Sequence, residues 1–259
     1  MIAAARGFDA LAATYDEDFT RTDLGRRLRS AVWRHLDAAF APGARVLELG
    51  CGTGEDAVHL ASRGVRIVAT DASGEMVAET VRKAAAAGLS HLVEARRVPF
   101  EELGSTGPSL GAFDGAFSDF GALNCAGDLP PLAEALGRLL PSGAPLLLVV
   151  MGRWAPWEWA WYLRRGDGAR AFRRFRRGGT SWRGLTVRYP SAGRLLRTFA
   201  PWFRRRRLAA LGVLLPPSYA ASSVSPSTLA RLDRWERRLE SAPLLPRLAD
   251  HTIFALERR

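Results

Sequence analysis

Three glycines at alternate positions in Glu48-Leu-Gly-Cys-Gly-Thr-Gly54, followed by Asp71, are the residues whose type and spacing most plainly suit chemistry. The apolar run at 45–49 reads as a buried strand, the glycines as a tight turn, and 55–62 as the helix after it. Glycine suits such a turn because it takes positive φ, and because a Cβ at Gly50 or Gly52 would occupy the space of a ligand held against the backbone. Asp71 ends the next apolar run, where a carboxylate can accept hydrogen bonds from both hydroxyls of a ribose. This is a place to hold a nucleotide. A G-x-G-x-x-G frame puts Glu55 where a third small residue would pack, which argues against a dinucleotide. No Gly-Lys-Ser/Thr follows, so the Walker pattern fails too.

The elements that must position this turn alternate along the chain. Residues 8–40 carry apolar residues at steps of three and four and read as one or two amphipathic helices. Strands are then expected at 45–49, 65–70, 91–98, 113–118 and 144–151, with helices at 55–62, 73–87 and 129–140 and a loop at 104–111. After a Trp- and Arg-rich interruption the series resumes with a helix at 191–203, strands at 208–215 and 251–257, and a helix at 227–240 between them. Such alternation implies an α/β fold: a doubly wound, seven-stranded, mostly parallel sheet with helices on both faces. We read 1–259 as a single domain with N-terminal helices (1–40), a cofactor-binding half (41–152), a helical cap inserted after the fifth strand (153–190), and a completion of the sheet (191–259).

The acid two before the first glycine, the G-x-G-x-G run and the acid ending the second strand together resemble the first two motifs of class I S-adenosylmethionine-dependent methyltransferases. The resemblance, specific within 45–120, implies a Rossmann-like fold and S-adenosylmethionine as cofactor, with S-adenosylhomocysteine as product. It places Gly50, Cys51, Gly52 and Gly54 under the methionine moiety, Asp71 and Ala72 at the ribose, and Glu48 beneath the loop near the sulfonium. Met76 matches a position that packs on adenine, or is an ordinary core methionine. The family's acid after the third strand is missing; Phe100 against the purine and Glu101 at its amine are the candidates there. Ser118-Asp119-Phe120 looks like the fourth motif and should face the methyl. Ala13-Thr-Tyr15-Asp resembles an N-terminal motif, making Tyr15 a cofactor contact together with Arg29, whose other reading is a solvated helix face.

Methyl transfer from a sulfonium is an in-line displacement in which alignment does most of the work, with a base useful for a hydroxyl or an acidic carbon. Asp119 and His251 are the candidate bases, with His59 a further histidine. In the cap, Trp154, Trp157, Trp161 and Tyr162 are spaced to share one side of a helix, with Trp159 off it. They line an acceptor pocket, or pack the cap on the sheet, or join the nearby arginines in a surface that meets anionic lipid. Tyr189 and Tyr219 fall near the cap entrance as further substrate contacts.

Residues 1–152 carry 14 Lys and Arg against 19 Asp and Glu, whereas 153–259 carry 23 against 7, so the net charge of +11 belongs to the second half. Such a half can attract an acidic substrate, an anionic membrane or nucleic acid. Lys83 is the one lysine among 37 basic residues, which points equally to compositional bias. No apolar run reaches the length of a membrane span, and Met1–Arg6 is too short for a signal peptide. A cytoplasmic protein with free Cys51 and Cys125 and no metal is expected. The functional expectation is methylation of a small molecule at oxygen or carbon, in specialised, quinone-like or lipid-like biosynthesis. The other readings are a nucleic-acid methyltransferase, which the lack of a base-methylation signature and of a separate RNA-binding module argues against, and a non-methylating S-adenosylmethionine-binding protein.

Overall fold

The computed structural model describes residues 7–182, 184–221 and 223–259. Met1–Arg6, read above for targeting, lies outside the described residues. Helix α1 (Asp23–Ala39) begins where Thr22 accepts the Gly25 N–H through its side-chain oxygen at 2.9 Å, and it buries Leu24, Leu28, Val32 and Leu36. A five-residue π-helical turn, Asp16–Thr20, precedes it.

Strand β1 (Arg45–Leu49), helix α2 (Glu55–Ser62), β2 (Arg66–Asp71), α3 (Gly74–Ala86), β3 (Val93–Arg97), β4 (Gly115–Ser118), α4 (Leu129–Leu139) and β5 (Pro145–Met151) follow the expected alternation. The chain then enters the cap with α5 (Pro156–Leu163), the turn Gly168–Ala171, and an antiparallel hairpin of β6 (Thr180–Trp182) and β7 (Leu185–Val187). The cap is therefore mixed rather than wholly helical. Helix α6 (Ala192–Phe199), β8 (Phe203–Leu211), α7 (Pro226–Leu239) and β9 (His251–Arg258) complete the fold.

The seven strands lie in the order β3-β2-β1-β4-β5-β9-β8. β1 to β5 pair in parallel, while β9 runs antiparallel to both β5 and β8. One apolar layer joins α1, α2, α3 and α7 to one face, and a second, with Leu136 and Phe199, joins α4 and α6 to the other. Strand order reverses between β1 and β4, so the turns leaving these two strands open a crevice at the carboxyl edge of the sheet. Because β9 is antiparallel, its first residue, His251, pairs with Met151 at that same edge.

β8 starts five residues before the expected 208, and α6 correspondingly ends earlier. Arg204 to Arg207 are exposed on this edge strand, where Arg204 and Arg206 pair with Glu257, so the strand carries no apolar alternation over those residues.

Candidate functional site

The Gly50 and Cys51 amides both donate to the Thr70 carbonyl, at 2.7 and 3.0 Å, which turns the chain sharply out of β1. Asp71 then staples the turn: its Oδ2 accepts from Gly52 N–H at 3.0 Å and its Oδ1 from Ser73 N–H at 2.9 Å. Each oxygen keeps a lone-pair direction for a ribose hydroxyl. Gly50, Gly52 and Gly54 all have positive φ, at 72°, 53° and 77°. Only Gly52 leaves open space where a Cβ would stand; at Gly50 a Cβ would strike Ala122, and at Gly54 it would strike Thr80. Lys83 ties this loop to the N-terminal segment, bonding Asp16 at 2.7 Å and Glu55 at 2.8 Å, while Thr53 donates to Asp16 at 2.6 Å.

Beneath the loop three buried carboxylates, Glu48, Asp56 and Asp119, come within 4.8 Å of one another. Arg29 is not on a solvated face. It is buried, bonds Asp56, and lies 4.8 Å from the centre of the Phe120 ring. Trp33 donates to the other Asp56 oxygen at 2.6 Å. Burial works against the Asp56 charge, but Arg29 and these hydrogen bonds outweigh it and hold the carboxyl below its ordinary range. Glu48 and Asp119 go the other way: burial first, then the neighbouring carboxylates, push both well above the usual range. Both Glu48 oxygens lack a hydrogen-bond partner.

The folded chain thus holds a proton on Glu48 more tightly than the unfolded chain does. Stability from this source is full in acid and falls as pH rises from the ordinary Glu value of about 4.3 toward the raised folded one, at most about 1.4 kcal/mol per pH unit. Glu48→Gln should therefore flatten the pH dependence of Tm and raise Tm at neutral pH. Parallel Tm curves for the two proteins between about pH 5 and 8 would refute the upward shift of Glu48.

A cavity of about 740 Å³ runs from this loop to the cap. Its end nearest the glycine turn is lined by Tyr15, Arg29, Gly50, Cys51, Gly52, Asp71, Ala72, Met76, Phe100, Glu101, Asp119 and Phe120, all expected from sequence as cofactor contacts. Burial, the largest influence, pushes the Tyr15 hydroxyl up to about 12. Three other expected cofactor residues stand behind the wall. Ser118 donates to the Leu49 carbonyl at 2.7 Å and ties β4 to β1, Gly54 opens α2, and Glu48 lies beneath the loop. Both cysteines are free and both line the cavity.

At the cap end stand His251, Asp250, Tyr189, Tyr219 and several arginines. His251 Nδ1 lies 3.0 Å from Asp250 Oδ2, close enough for charge pairing though off the line of a good hydrogen bond. Arg174 reaches from the cap to Asp250 Oδ1 at 2.6 Å and to Glu158 Oε2 at 2.8 Å. Burial opposes the charge of Asp250, yet Arg174 and His251 override it and hold its carboxyl far below the usual range. The Tyr219 hydroxyl is buried without a hydrogen-bond partner. Phe120 has φ of 42°, a strained value for a residue with a side chain, and its ring meets His251 edge-on at 6.2 Å.

Trp154, Trp157 and Trp161 are not among the residues lining this cavity. Helix α5 starts at Pro156, so Trp154 is out of its phase and packs instead against Trp159 and Phe175. Trp157 donates to the Leu214 carbonyl at 3.1 Å, and Trp161 lies beside Tyr219. His59 stacks on Trp33 and sits 2.8 Å from Asp37, away from the cavity. Sequence reasoning missed Asp56, Asp250 and the partners of Arg174. A hint lay in the order of residues, since Asp250 adjoins a histidine at a strand start.

The chain matches the family model of a methyltransferase domain over residues 46–143. A demethylmenaquinone methyltransferase of Beutenbergia cavernae is 36% identical over 160 residues, covering 58% of this chain and 60% of that protein. A tRNA 5-carboxymethoxyuridine methyltransferase of Escherichia coli is 30% identical over 89 residues, covering 33% of this chain and 34% of that protein. The chain therefore spans less than two thirds of the length of these relatives. Among solved structures, the cyclase SpnF matches with a TM-score of 0.62 at 18% identity, over 98% of this chain and 95% of the other. Geranyl diphosphate C-methyltransferase from Streptomyces coelicolor, solved with magnesium, geranyl diphosphate and S-adenosyl-L-homocysteine, matches with a TM-score of 0.58 at 15% identity, over 90% and 80%. Residues 46–143 thus match a methyltransferase domain, and the glycine turn, Asp71 and the seven-stranded order give the chain the Rossmann-like fold of class I S-adenosylmethionine-dependent methyltransferases.

Proposed function

We propose that this protein is a cytoplasmic enzyme that moves a methyl group from S-adenosylmethionine to oxygen or carbon of a small, quinone-like or lipid-like acceptor. The observation that carries this reading is the one cavity reaching from Gly52 and Asp71 to His251 and Tyr219. Asp71 would hold the ribose hydroxyls, Met76 and Phe100 the adenine, and Asp56 and Asp119 would face the cationic methionine end. The cofactor supplies an activated methyl, so the chain's main task is to hold the acceptor in line with the methyl and sulfur.

Of the two candidate bases, Asp119 is buried beside the Asp56 carboxylate and is the less accessible. His251, backed by the ionised Asp250, is the group to accept a proton from the acceptor's hydroxyl or carbon. Tyr219 offers a hydroxyl to an acceptor oxygen, and the cap, 153–190, selects the substrate. A quinone-like acceptor agrees with the demethylmenaquinone relative. A lipid-like one also gives the basic half a partner, an anionic membrane surface. The tRNA-modifying relative keeps a nucleic-acid acceptor as the second reading.

Calorimetry with S-adenosylmethionine, S-adenosylhomocysteine and NAD, followed by assay with a reduced naphthoquinone and with unmodified tRNA, tests both readings. Binding of the two sulfur ligands but not NAD, with S-adenosylhomocysteine released only when the naphthoquinol is present, is the expected result. Tight NAD binding with no response to either sulfur ligand would end the cofactor assignment. Turnover on tRNA alone would replace the acceptor.

A further inference from the structure

We infer that the outer face of the cap docks on an anionic lipid bilayer, delivering the acceptor to the cavity from the membrane surface. The inference rests on the lipid-like acceptor proposed above. Helix α5 has two unlike faces. Glu158, buried, and Tyr162 turn inward, where Arg173 and Arg174 pair with Glu158 and Tyr162 packs on Tyr219. Trp159 and Leu163, one turn apart, lie on another face. Trp154, Phe172 and Phe175 gather around Trp159, with ring centroids 5.3–6.0 Å apart between contacting pairs. None of these five residues lines the cavity. Trp154, Leu163 and Phe172 are 45%, 50% and 48% exposed, an unusual concentration of large apolar side chains in water.

The charge around this face has one sign. Residues 153–177 contain eight arginines against two acids, Glu158 and Asp167. Both acids are engaged within the cap, Glu158 by Arg173 and Arg174 and Asp167 by Arg170. Arg164 and Arg177 are exposed and form no ion pair among the described residues. Aromatic side chains beside free arginines match the boundary between headgroups and acyl chains of an anionic leaflet. The exposed apolar area includes the aliphatic Leu163 as well as rings, and the rings pack on one another, which suits acyl chains better than the separate stacking platforms of single-stranded nucleic acid. The same cap carries the cavity mouth: Arg170, Arg176 and the half-exposed Trp182 line it.

Co-sedimentation of the whole protein with vesicles tests this, comparing phosphatidylcholine alone with phosphatidylcholine containing about 30% phosphatidylglycerol, and with tRNA as competitor. Partition at least about tenfold higher on the anionic vesicles is expected, with a fall of about fivefold for each of Arg164→Gln and Arg177→Gln. Phe172→Ala should lower it further on the anionic vesicles, while the two surface arginine variants guard against a cap that fails to fold. Equal partition on both vesicle types, no loss in the arginine variants, or binding to tRNA at lower protein concentration than to vesicles would overturn the docking face. Calorimetric affinity for S-adenosylmethionine, read on the same samples, reports separately on the proposed catalytic function.

Discussion

Replacing His251 with glutamine is expected to lower kcat by about 10²- to 10³-fold while changing the affinity for S-adenosylmethionine by no more than about twofold. The reason is the order of charges behind the ring. Arg174, buried between Glu158 and Asp250, keeps Asp250 ionised, and Asp250 faces Nδ1 of the imidazole. In the proposed role Asp250 would favour the proton on Nδ1, leaving Nε2 to accept the substrate's proton. Asp119 is buried beside the Asp56 carboxylate, which raises its carboxyl well above the usual range, and has no such backing. Asp250→Asn should then give a smaller loss in kcat than His251→Gln. An unchanged kcat in His251→Gln, measured with saturating cofactor, would show that alignment alone suffices for this acceptor.

Asp71→Ala is expected to weaken S-adenosylmethionine binding by about 10²- to 10⁴-fold. Two ribose hydroxyls would lose hydrogen bonds to a charged acceptor, each worth about 1.5–3 kcal/mol. The same change frees the Gly52 and Ser73 amides, so part of the loss reflects a looser turn. The two contributions separate by ligand: the affinity for adenosine should fall with that for the whole cofactor, whereas Asp71→Asn, which still offers one oxygen to the backbone, should recover some of the turn without the charge. Calorimetry that finds Asp71→Ala within about threefold of the parent would remove Asp71 from the ribose site.

Much of this arrangement was legible in the chain. Short apolar runs ended by glycine and an acid specify buried parallel strands and a nucleotide turn, because parallel strands covered on both faces read as continuous apolar runs and the turn needs positive φ. Twelve expected cofactor residues accordingly line the cavity. Ser118, Gly54 and Glu48 fell one layer behind it, since residues next to a ligand contact in sequence alternate toward and away from it. The edge strand β8 was misjudged at its start because solvated arginines leave no apolar alternation to read.

By itself the sequence determined the sheet, the glycine turn and Asp71, all features set by local spacing. Tertiary structure decided which charges matter. Arg29 and Asp56, 27 residues apart, meet only when α1 packs on α2, and burial beside the Asp56 charge raises Asp119 and Glu48 well above the usual carboxylate range. His251 gains its backing from Arg174, 76 residues from Asp250, only because the cap folds over the start of β9. The tryptophans missed the cavity for a similar reason: Pro156 set the phase of α5, and the buried Glu158 with its two arginines took the inward side, leaving Trp154 exposed and Trp157 and Trp161 packed on Leu214 and Tyr219. Burial and charge pairing act through space, and no spacing along the chain encodes them.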